Sequence, residues 1–229
     1  MSYAAGMERA QAAGRLLAER HLGVAAADPE PAGSLVNYAE SSRAGDWSLR
    51  SALVRLAQPE PARVAGVLEL VRRLDAVLHH LARPLERHTV VCDRSLTLGA
   101  ITEEASGWQL ADPGEPYPDT RVAELVRLAT AAGPDGDQVL DAYLGEVDLA
   151  IEEQQALPLL AVAAEFDGLA DQLAAWAPTA PAAPPVEEVD RVCAGVLAHL
   201  DALGVPREEG PPPGARGGRP RRRQGDTDG

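Results

Sequence analysis

The chain has 229 residues, 45% of them hydrophobic but only 3% aromatic, and a net charge of -14. That is the length of one domain with an appendage, its apolar content carried mainly by Ala and Leu, which favours helices. The acidic balance argues against a nucleic-acid backbone as the main partner. No run approaches the roughly 18 apolar residues of a membrane span. All 21 basic residues are Arg, which removes chemistries that need an amine, such as Schiff bases and P-loops.

In chain order, Tyr3 to His21 reads as a helix, with Met7, Ala10, Leu16, Leu17 and Ala18 near helical spacing. Its charged residues interrupt any secretion-type apolar core, so the protein is expected in the cytoplasm. Asp28 to Gly33 is a loop. Ser34 is placed to cap a segment with Leu35, Val36 and Tyr38, and Asp46 to cap a helix with Trp47, Leu49, Leu53, Val54 and Leu56. A long amphipathic helix is expected from Pro61 to Ala82, with Val64, Val67, Leu68, Val71, Leu74, Val77, Leu78 and Leu81 on one stripe and Pro84 as its stop.

Between Thr89 and Asp112 the period changes. Thr89-Val-Val-Cys is β-prone, and GAIT and GWQLA flank Glu103-Glu-Ala-Ser, which reads as a hairpin turn. Helices are then expected over Thr120–Ala132, Asp137–Glu153, Leu157–Trp176 and Val186–Leu203, the third with Pro158 in its first turn. Ala177 to Pro185 reads as a stiff connector. The tail beyond Gly210 has almost no apolar side chains and is expected to be disordered. The domain reading is an N-terminal helical segment over 1–60, a helical domain over 61–205 with its hairpin near 89–112, and a Pro/Gly/Arg-rich tail over 206–229.

The order of long helix, short strand, polar loop, hairpin, acidic turn and helices resembles the C-terminal lobe of aminoglycoside- and choline-kinase-like phosphotransferases. The residues that carry the resemblance are Cys92-Asp-Arg-Ser-Leu-Thr-Leu-Gly-Ala-Ile and Gly107-Trp-Gln-Leu-Ala-Asp-Pro-Gly-Glu-Pro, and it extends through about half the chain, from Pro61 to Trp176. It implies a mainly helical, protein-kinase-like C-lobe without the N-lobe, since the first 88 residues offer no strand ladder. In the family a catalytic Asp accepts or orients the substrate hydroxyl proton, while an Asn and a second Asp hold magnesium against the phosphates. Aligned here, Asp93-Arg94-Ser95 falls on the catalytic triplet, Ala100 on the Asn and Asp112 on the second Asp. Ser95 is no base at neutral pH and Ala100 has no metal-ligating atom. Shifting the register to make Asp93 catalytic puts Leu98 at the Asn position.

The expectation is therefore a pseudokinase-like, non-catalytic interaction or regulatory protein with a protein partner and no cofactor. One alternative is an active small-molecule phosphotransferase that uses Asp93 and Asp112 with magnesium-ATP, Asp112 being the metal ligand. Another is a helical adaptor of separate origin. A hairpin packed between the long helix and the Thr120 helix would favour descent from the family, and its absence the adaptor. Tyr38, Arg43, Asp46 and Trp47 form a candidate recognition patch. Arg219, Arg221, Arg222 and Arg223 make the tail basic, the one segment suited to an acidic partner or RNA. His79-His80, His88, His21 and His199 read as unconnected histidines. Glu152-Glu153 reads as a solvated face, and Cys92 and Cys193 as buried reduced thiols outside any metal spacing.

Overall fold

The computed structural model describes residues 3–23, 47–93, 96–110, 116–179 and 182–207. Among them the chain is mainly helical. Helix α1 spans Tyr3–Gly23, α2 Trp47–Ala57 and α3 Pro61–Leu85. Strands follow at β1 (Thr89–Asp93), β2 (Ile101–Glu104), β3 (Gly107–Leu110) and β4 (Pro116–Thr120). Helices α4 (Arg121–Ala131), α5 (Gly136–Leu144), α6 (Ile151–Trp176) and α7 (Val186–Ala202) complete it. Among the described residues no helix is long and apolar enough to cross a membrane.

The strands form two antiparallel pairs, β1 with β4 and β2 with β3. The β2–β3 hairpin sits where the sequence places it, but Glu103 and Glu104 extend β2 opposite Trp108 and Gly107, so the turn is Ala105-Ser106 alone. Gly107 follows that turn at φ 114°, in the left-handed region that Gly tolerates without strain. Strand β4 is not anticipated by the sequence, because two prolines in Pro116-Tyr-Pro-Asp-Thr argue against a strand. Pro116 and Pro118 alternate with Tyr117 and Asp119 opposite β1, so both missing N–H groups fall on the side of β4 away from β1, which pairs with no strand among the described residues.

Two apolar clusters share α4. One joins α2, α3, α6 and α7 to Val122, Ala123 and Val126 of α4, around Phe166, Leu70 and Leu74. The other joins α1, α5 and Ile101 to Leu125, Leu128 and Ala129 on the other side of α4. Helix α4 is thus buried on both sides, and its N-terminus is closed by Thr120, whose Oγ1 accepts the Ala123 N–H at 3.1 Å.

Three boundaries differ from the sequence reading. Pro84 lies inside α3 rather than ending it: the proline forfeits a bond to the carbonyl four residues back, but Leu85 beyond it is fully buried. The segment expected as one helix over Asp137–Glu153 breaks between Leu144 and Ile151. There Arg121 Nη2 donates to the Asp148 carbonyl at 3.3 Å and Ala150 N–H donates to Glu153 at 2.9 Å, so side chains take over backbone partners. Consequently α6 starts at Ile151, and Pro158 falls in its body instead of its first turn.

Candidate functional site

The last turn of α1 carries Arg20 and His21, a favourable place for basic side chains. It lies against β1 and the first turn of α4, which offers Glu124. His21 is 6% exposed and Glu124 is 1% exposed, so their polar atoms must find partners within the protein. His21 Nε2 lies 2.8 Å from Glu124 Oε2, and His21 Nδ1 lies 2.8 Å from the Tyr143 hydroxyl on α5. The other oxygen, Glu124 Oε1, accepts the Asp93 backbone N–H at 2.7 Å. Cys92 is fully buried beside them, and its thiol approaches the Thr120 carbonyl at 3.7 Å. The His21, Cys92 and Glu124 ligand atoms all lie within 4.8 Å of one another.

Charges ring this centre. Arg20 Nη1 is 3.8 Å from Asp93 Oδ2 and 4.0 Å from Glu124 Oε1. Behind β4, Arg127 donates to fully buried Asp119 at 3.0 Å, donates to the Tyr117 hydroxyl, and sits over the Tyr117 ring at 5.5 Å. Burial pushes the Cys92 thiol well above its ordinary range, and Glu124 and Asp119 push it the same way. Burial and Asp119 do the same to Tyr117, and burial raises Tyr143. A neutral thiol in such a place is inert as a nucleophile.

Next to this cluster Arg121 forks onto Glu153, Nε at 2.6 Å and Nη2 at 2.5 Å, and the Glu153 hydrogen bond raises the guanidinium. Glu153 is fully buried, which corrects its reading as a solvated residue: at the start of α6 it must serve both Arg121 and the Ala150 N–H. His21 is likewise not unconnected. Nothing in the local sequence marks it, because its partners lie 103 and 122 residues away. Cys92 is buried as expected, whereas Cys193 is only partly so; both are free thiols.

Of the residues singled out between Cys92 and Pro116, Asp93 is described and is 2% exposed, at the end of β1. Ala100 lies in a single 3-10 turn, Leu98–Ala100, before β2. Arg94, Ser95 and Asp112 lie outside the described residues, as do Tyr38, Arg43, Asp46, the Trp47 side chain and Arg219, Arg221, Arg222 and Arg223. His79 and His80 are exposed on α3, their rings 6.4 Å apart. An open groove of about 310 Å³ between α6 and α7, lined by Pro158, Val162, Glu165, His199 and Leu203 among others, shares no residue with the buried cluster. No known family, curated protein or solved structure matches this chain.

Proposed function

We propose that this chain is a non-catalytic interaction module on a helical lobe resembling, in degenerate form, that of aminoglycoside- and choline-kinase-like phosphotransferases. The observation that carries the reading is the state of Asp93. It is 2% exposed, its backbone N–H is committed to Glu124, and Arg20 of α1 stands over its carboxylate. A carboxylate that must meet a substrate hydroxyl has to be reachable by it, and α1 closes off this one. Arg9 of α1 also sits over the Trp108 ring of the hairpin at 6.0 Å, so the same helix covers β3. The order of long helix, strand, loop and hairpin supports the resemblance. Among the described residues before Thr89 there is no strand to cradle a nucleotide.

A helical adaptor of separate origin is favoured by a different observation: the β2–β3 hairpin rests mainly on α1, not between α3 and α4. Both readings dispense with phosphoryl transfer. Titration of the full chain with magnesium-ATP, followed by calorimetry and thermal melting, is expected to give no heat of binding and no rise in Tm. Magnesium-dependent binding that disappears in Asp112→Ala, together with radiolabel transferred from ATP to an acceptor, would overturn the proposal. The interaction role further predicts a stoichiometric protein partner that survives purification of the tagged chain at native expression level.

A further inference from the structure

We infer that His21, Cys92 and Glu124 form a binding site for a divalent transition-metal ion of the zinc class, fastening α1 to β1 and α4. The donor set is the first reason. An imidazole nitrogen, a thiol and a carboxylate are three of the ligand types zinc takes, and they converge from three separate elements with their ligand atoms within 4.8 Å of one another. A tetrahedral zinc with bonds of about 2.0–2.3 Å needs its ligand atoms about 3.3–3.6 Å apart. The His21 Nε2–Glu124 Oε2 pair, at 2.8 Å, therefore has to open by about 0.5 Å to admit the ion, an adjustment that side-chain rotation supplies.

The second reason is independent of the donors. Each of two ligands is already held from behind at the atom that would not touch the ion. His21 Nδ1 faces the Tyr143 hydroxyl at 2.8 Å, and Glu124 Oε1 takes the Asp93 N–H at 2.7 Å. Outer contacts of this kind fix the ring orientation and the carboxylate plane of metal ligands. The ring of His21 meets that of Tyr143 edge-on, 5.7 Å between centroids, which restricts it further. Charge also balances: thiolate and carboxylate offset a divalent ion, while Asp93 offsets Arg20.

Binding exchanges protons without any further reactant. The thiol proton leaves to solvent as the metal–sulfur bond forms. Nε2 binds the ion in the imidazole tautomer that carries its proton on Nδ1, which then donates to the Tyr143 hydroxyl. Because α1 lies over the site, the ion has to enter before α1 docks or during a transient opening of it.

The test uses the full chain in two ways: zinc content after purification in chelator-free buffer, and refolding with cobalt(II) or zinc. One zinc per chain is expected, with a cobalt spectrum that shows a thiolate-to-metal charge-transfer band. Cys92→Ser is expected to abolish that band and to weaken zinc binding more than tenfold. Tyr143→Phe, which removes only an outer hydrogen bond, is expected to weaken it about tenfold. His21→Gln serves as a second ligand variant should Cys92→Ser fail to fold. The inference is overturned if the wild-type chain holds no zinc after either route. It is equally overturned if cobalt binds without the charge-transfer band, or if Cys92→Ser binds zinc as the wild type does. None of these outcomes touches the magnesium-ATP result, so the two proposals stand or fall separately.

Discussion

Gly14→Ala tests how tightly α1 is seated. In a free helix this change is favourable by about 1 kcal/mol, because Ala fixes the helical backbone more readily than Gly. Here the added Cβ would stand 2.4 Å from the Val139 carbonyl oxygen, 2.9 Å from Ala142 Cβ and 3.0 Å from the Tyr143 nitrogen. Those are largely backbone atoms of α5, which cannot swing aside as a flexible side chain would. Restoring ordinary contact distance means lifting α1 by about 1 Å, and a gap of that size forfeits a quarter to a half of the dispersion energy across it. The contacts at risk are those of Ala10, Ala13, Leu17 and Ala18, all at most 2% exposed. Overpacking of this kind costs about 3 kcal/mol, which leaves a net loss of about 2 kcal/mol after the propensity gain. Gly66 on α3 has nothing within 4 Å of its would-be Cβ, so Gly66→Ala is expected to gain up to about 1 kcal/mol. Urea unfolding of both variants at unchanged slope reads the contrast. His21 lies seven residues beyond Gly14 on the same face, so amide exchange should quicken at the end of α1. Equal or greater stability for Gly14→Ala would refute the close seating of α1 on α5.

Two further outcomes follow from buried charge. Burial raises the Asp75 carboxyl to about 6, and one of its oxygens has no hydrogen-bond partner among the described residues. Its folded value lies above the unfolded 3.8, so the ionised form costs stability above about pH 6 and the cost fades as pH falls toward 3.8. With a discount for partial exposure, Asp75→Asn should gain about 1 kcal/mol at about pH 7.5 and little at about pH 4.5, read as urea midpoints. Arg121→Ala should cost more than Glu153→Gln, about 3 against about 2 kcal/mol in chemical denaturation, because it strands a carboxylate with no exposed surface. The His88 ring lies 3.9 Å from that carboxylate and is not a fixed charge as Arg121 is. A reversed order would refute that assignment of burial.

The helices were legible wherever an apolar stripe recurred at helical spacing, as on α3 and α7, because such a stripe has only one way to be buried. The β2–β3 hairpin was legible from its change of period. Strand β4 was not: Pro116 and Pro118 contradict a strand locally, and only the pairing with β1 shows that their missing donors fall on the side away from it. The break between α5 and α6 was hidden for a similar reason, since Arg121, far back in the chain, holds the Asp148 carbonyl.

The candidate site divides in the same way. Composition shows that the sequence holds no Lys and that the stretch from Cys92 to Ile101 holds no Asn, because an absent functional group is absent in every conformation. His21, Cys92 and Glu124 are another matter. Each looks ordinary among its sequence neighbours, and their meeting depends on α1 crossing α5 closely at Gly14 and on α4 being buried on both sides. Sequence determines which chemical groups the chain possesses. Tertiary packing alone decides which of them share a dry space, because burial and proximity arise between segments that do not neighbour each other along the chain.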